Sequence, residues 1–142
     1  MQARRTRSQA VGFREIPHTA DVALEVWAPD LVTLFEEAAR GFNAISGARV
    51  APAPSLIRHI HLTGTDPESL LVAFLTELVI AQEQENAGFD DFHLQITDHR
   101  LTGTLKGGPL LSLAKPIKAV TYHNLGIKRT HRGYEVGIVF DV

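Results

Sequence analysis

The 142-residue chain has no cysteine. That absence removes disulfide staples, thiol nucleophiles and cysteine-bound zinc together. Long apolar runs are missing too. The longest mostly hydrophobic stretch, Leu70 to Ala81, is interrupted by Thr76 and Glu77 and is far too short to cross a bilayer. No apolar segment follows the arginines of Met1–Ala10, so this end does not read as a secretory signal. There is no internal repeat, low-complexity tract or recognisable linker. These absences predict a cytoplasmic protein of one domain with no membrane partner. What is present agrees: 44% hydrophobic and 21% charged residues exclude disorder across most of the chain. A chain of this length buries enough surface for one core without staples.

Charge is more informative when divided. The formal net charge is −2, but Arg4, Arg5 and Arg7 all fall in the first ten residues, where there is no acid. Residues 8–142 therefore carry 11 basic against 16 acidic side chains, a net of −5. A net acidic body predicts no strong direct binding of nucleic acid. Residues 1–12 read as a basic, flexible N-terminal tail, and 13–142 as the single domain.

Two helices are legible. The first opens at Asp30, after Pro29, and runs on Leu31, Leu34, Phe35, Ala38, Phe42 and Ile45 to a stop at Gly47. The second opens with Asp66-Pro67-Glu68 and runs on Leu70, Leu71, Phe74, Leu75, Leu78 and Val79 to Asn86–Gly88. The remainder alternates with period two: Val22, Leu24 and Val26; Leu56, Ile60 and Leu62; Phe92, Leu94 and Ile96; Val136, Ile138 and Phe140. Leu101–Lys106 reads as a strand followed by a loop over 107–116. Val120–Leu125, Ile127–Thr130 and Tyr134–Phe140 read as an antiparallel meander. The predicted class is α+β, a mostly antiparallel sheet with two amphipathic helices packed on it.

Few segments carry chemistry. Gly103–Gly108 lacks the Lys-Ser/Thr and helix start of a phosphate-binding loop. His59 and His61 project from one strand face without an evident third metal ligand, which suits a polar outer face. In Pro17-His18-Thr19-Ala20-Asp21, the Thr and Asp are turn-forming types that hydrogen-bond local backbone. At the C-terminal end, Asp141 points away from the core-facing Phe140 and is followed by Val142, which concentrates oxygen donors suited to hard cations. An exposed edge acid is the alternative there.

These segments together resemble the archease family. The motifs are His18-Thr19-Ala20-Asp21-Val22, Leu34-Phe35-Glu36-Glu37-Ala38-Ala39-Arg40-Gly41, Leu70 through Leu78, Lys118-Ala119-Val120-Thr121-Tyr122-His123, and Asp141-Val142. They occur in family order over about residues 13–142. The resemblance implies an archease-like fold and a non-catalytic accessory protein. Its partner is an RtcB-type RNA ligase, which joins 2′,3′-cyclic phosphate or 3′-phosphate ends to a 5′-hydroxyl in tRNA splicing and RNA repair. The implied action is to promote guanylylation and multiple turnover of that ligase. It further implies a divalent metal ion, calcium or else Mg²⁺ or another hard cation, on Asp21 and Asp141 with oxygens of Val142. Lys118 corresponds to the lysine needed for activation, with His18, Thr19 and His123 as further partner-side residues. Two departures stand out: Pro17 replaces an acid before the first motif, and the 107–116 segment is apolar where the family is polar. Leu110, Leu111 and Leu113 are expected to be exposed there and available to a partner. The competing functions are a metal-dependent hydrolase using Asp21 and Asp141, with His18 or His123 as base, and a metal-stabilised chaperone or interaction module.

Overall fold

The computed structural model describes residues 10–17 and 21–142. Among them, one sheet is built from β1 (Gly12–Pro17), β2 (Asp21–Ala28), β7 (Ala119–Thr121), β8 (Lys128–Thr130) and β9 (Gly133–Asp141). A second contains β3 (Arg49–Val50), β4 (Leu56–Thr63), β5 (Ala87–Thr97) and β6 (Arg100–Ser112). All pairings are antiparallel. The α+β class is as the sequence predicts, and both helices lie where the periodicity puts them.

The helices α1 (Leu31–Ser46) and α2 (Pro67–Glu85) begin on capping side chains. Asp30 accepts the Thr33 N–H at 2.8 Å and Asp66 accepts that of Ser69 at 2.7 Å, each satisfying a donor the helix cannot. Their ends turn on left-handed residues, Gly47 at φ 64° and Asn86 at φ 51°. Each helix touches strands of both sheets, so the pair forms a middle layer. Phe74 of α2 meets Phe35 of α1 and Phe92 of β5 at centroid separations of 6.1 and 6.2 Å. Phe42 of α1 meets Phe140 of β9 edge-on at 5.9 Å. These rings are almost wholly buried and tie both sheets to one core. Truncating one such ring costs about 3–5 kcal/mol.

Two sequence expectations fail. The last three strands do not form a meander, because β7 and β8 never pair with each other. They lie end to end along the same edge of β9, opposite Asp141–Val139 and Glu135–Gly133 respectively. The chain leaves the sheet after Thr121 through a turn closed by Leu125 N–H donating to the Tyr122 carbonyl at 3.1 Å, with Asn124 at φ 52°. That excursion returns the chain farther along the same edge instead of doubling it back.

The second correction concerns 107–116, which is not wholly loop, since β6 continues to Ser112. Gly107 and Gly108 are needed there for close approach. A Cβ on Gly107 would run into the Gly88 carbonyl oxygen, and one on Gly108 into that of Ala51. Leu110 is correspondingly buried against Val50 and the backbone at Gly88, while Leu111 is 63% exposed. Of the three leucines offered to a partner, Leu110 is therefore withdrawn. His59 and His61 do lie on an exposed sheet face, with His59 Nδ1 3.2 Å from Thr104 Oγ1.

Candidate functional site

Asp21 opens β2 and Asp141 closes β9, and the register sets them directly opposite one another. Ala119 of β7 faces Asp141 from the other side, giving a row Asp21–Asp141–Ala119 across three strands. The next row, Val22–Phe140–Val120, packs into the core. Alternation therefore turns both carboxylates to the outer face of the sheet, away from the helices. Residues 120 positions apart in sequence become cross-strand neighbours, whose Cβ atoms lie about 5 Å apart in such pairs. Like charges in that relation repel. A cation shared between them would relieve that repulsion.

Its chemistry is hard: two carboxylates, followed by the main chain of Val142, which is half-buried against the core. Such an all-oxygen set fits calcium or magnesium and not a soft metal. Among the described residues there is no group of three or more His, Asp or Glu side chains able to hold a metal ion. Among the described residues the carboxylates are thus a pair, with main-chain oxygens beside them. His18 and Thr19 lie outside the described residues.

Lys118 reaches this row through its backbone. Its N–H donates to the Asp141 carbonyl at 2.7 Å, fastening the last residue of β9 to the start of β7. The side chain is exposed and lines a cleft of about 540 Å³ with Gln82 and Glu83 of α2 and with Leu113, Pro116 and Ile117. The segment that departs from the family's polar character thus supplies an apolar wall beside the lysine. His123 is not in the row. It sits in the exposed turn beyond β7, its N–H donating to Thr121 Oγ1 at 3.3 Å and its Nε2 accepting from Asn124 Nδ2 at 3.3 Å.

Three acids that the sequence places only in a motif string or a helix start, without a role at a site, are used inside the fold. Glu37 is wholly buried in α1 and lies 3.5 Å from the Arg40 guanidinium. Its position three residues after Leu34 and four before Gly41, within the apolar phase of the helix, was the available signal. Glu36 accepts the Leu94 N–H of β5 at 3.3 Å, and Glu68 accepts the Ile127 N–H at 2.9 Å, which anchors the β7–β8 connection to the first turn of α2. No helix among the described residues is long and apolar enough to cross a membrane.

Comparison with known proteins agrees with this architecture. The model of the Archease protein family matches residues 13–142. A protein archease from Saccharolobus islandicus is 31% identical over 136 residues, covering 92% of this chain and 98% of its own. One from Archaeoglobus fulgidus is 29% identical over 139 residues with the same coverages. Among solved structures, an archease from Thermotoga maritima, described as a possible chaperone, superposes with a TM-score of 0.68. It is 20% identical, and the match covers 89% of this chain and 94% of that one. Protein 1598 of Methanobacterium thermoautotrophicum gives 0.66 at 22% identity, covering 92% and 98%.

Proposed function

This chain belongs to the archease family, and from that premise we propose that it is an accessory protein that activates an RtcB-type RNA ligase in tRNA splicing and RNA repair. In this reading a divalent cation, calcium or magnesium, is held by Asp21, Asp141 and oxygens of Val142. The observation that carries the reading is the direct opposition of Asp21 and Asp141, with Lys118 fastened to the same strand end. When bound, the cation supplies neutralisation of two like charges that the fold forces together.

The protein's own groups do the rest. The Lys118 N–H holds the Asp141 main chain in register, and the exposed Lys118 side chain offers a positive charge beside the cleft to a phosphate or carboxylate of the ligase. His123 extends the contact from the turn beyond β7, with His18 and Thr19 as its other partner-side residues. The result is promotion of ligase guanylylation and of multiple turnover. A chaperone role, as in the description of the Thermotoga maritima protein, is the second reading.

Labelled-GTP transfer to the ligase, followed by multiple-turnover RNA joining, separates the two. Stimulation by the native protein and its loss in Lys118→Ala, with metal binding retained, is expected. Lys118→Arg is expected to stimulate poorly, since a planar fork does not replace a compact ammonium. Full stimulation by Lys118→Ala, or soluble ligase whose guanylylation rate is unchanged by the native protein, would overturn the proposal.

A further inference from the structure

The net charge of −2 hides a segregation along the chain: residues 99–134 contain seven Lys and Arg side chains and no Asp or Glu. Much of that segment builds one line on the surface, the outer edge of the five-stranded sheet where β7 and β8 lie end to end. Lys118 stands at one end of the line and Lys128 and Arg129 at the other, all exposed. Between them the Tyr122–Leu125 turn projects Tyr122, 62% exposed, and His123. Ala119 faces Asp141 and Lys128 faces Glu135, so the two ends are about 20 Å apart along the sheet edge.

From this geometry we propose that the β7–β8 edge binds a single strand of nucleic acid, with phosphates on Lys118, Lys128 and Arg129 and a base stacked on Tyr122. Cations in a line with an exposed ring among them match a backbone that carries charge at regular intervals and bases that stack without sequence preference.

The acids that face this edge are largely engaged. Glu135 is held by Arg132 at 2.8 and 3.3 Å, and Glu25 by Arg14 with both contacts at 3.0 Å. Glu68 is taken up by the Ile127 N–H at 2.9 Å. Glu83 shares the cleft with Lys118, and Asp141 and Asp21 lie at the Lys118 end of the line. Lys128 thus stands opposite a Glu135 whose carboxylate Arg132 already holds, and Arg129 stands opposite Tyr134. Arg129 also lies over the ring of its cross-strand neighbour Tyr134, at 5.2 Å. An acidic protein surface would satisfy the cations equally but would leave the projecting Tyr122 without its role.

The test needs only this protein and a fluorescent RNA of about 12 nucleotides, read by anisotropy from roughly 50 mM salt upward. The Lys128→Gln/Arg129→Gln pair should weaken binding by about ten-fold or more and flatten the log–log salt slope by about 1.4. Tyr122→Ala should weaken it by about five-fold or more and leave the slope unchanged. Lys106→Gln, the same single charge change as Lys128→Gln but on the other sheet, should leave affinity unaltered. Lys128→Gln alone, which spares the Tyr134 contact, should still lower affinity, and thermal melts of each variant exclude misfolding. Four outcomes overturn the proposal: no binding by the native protein, unchanged affinity in the paired variant, loss of binding only when Arg4, Arg5 and Arg7 are neutralised, or competition by poly-glutamate as strong as by RNA with Tyr122→Ala silent. The ligase is absent from this assay, so its result is independent of the activation reading.

Discussion

Replacing Asp141 by Asn should change sign with metal. Asp141 is exposed and directly opposite Asp21, so two unit charges about 5 Å apart in water-like surroundings repel by about 0.8 kcal/mol. The unfolding entropy of a chain of this length is about 0.3 kcal/mol/K near 60 °C. Without metal, in EDTA and low salt, Asp141→Asn should therefore melt about 3 °C above the native protein. The backbone bond from Lys118 to Asp141 is unaffected by the change, so it does not enter the difference. With Ca²⁺ or Mg²⁺ at about one hundred times its dissociation constant, the native protein gains about 2.7 kcal/mol, or about 9 °C, and the variant gains little. The two melting curves cross in order between the conditions. Differential scanning calorimetry with and without metal measures this, and raising the salt should shrink the metal-free difference by screening. Equal metal-induced shifts in both proteins, together with a metal-free variant no more stable than the native chain, would refute the reasoning.

Asp66→Ala should cost about 1 kcal/mol, because the Ser69 N–H loses its acceptor at the start of α2, and urea unfolding reads it directly. Gly107→Ala should cost at least about 3 kcal/mol through collision with the Gly88 carbonyl, whereas Gly126→Ala, which meets nothing within 4 Å, should change stability by under about 1 kcal/mol; chemical denaturation of both compares them. The hydrogen bonds from Arg132 and Thr130 hold the Glu135 carboxyl below its ordinary range. A depressed folded value means that its contribution is present above the unfolded carboxylate range, about pH 4–5, and is lost as pH falls through the lower folded value. Glu135→Gln should accordingly lose less melting temperature between neutral and strongly acid pH than the native chain does, and an equal loss in both would count against the Arg132 pairing.

Local structure was legible in the residues alone. Asp30, Asp66 and Pro67 cap and start helices by chemistry confined to one turn, and the 3.6- and 2-residue periods of Leu34–Phe42, Leu70–Val79 and Val136–Phe140 follow from which faces are buried. Family membership was legible too, because its motifs are local strings. What the sequence misjudged depended on partners far along the chain. Gly107 and Gly108 looked like loop residues because the carbonyls of Gly88 and Ala51 that exclude a Cβ come from other segments. The supposed meander looked plausible because two short strands can share one edge of β9 without a local mark distinguishing that from a hairpin. Asp21 and Asp141 could be named from motifs, but only the β2–β9 register sets their charges against each other. The fold likewise fastens Lys118 to Asp141 through its backbone and sets the residue beside the cleft at α2. A hydrogen-bonded register is a relation between strands, and no residue's type or spacing within a single strand specifies which remote carboxylate it will face.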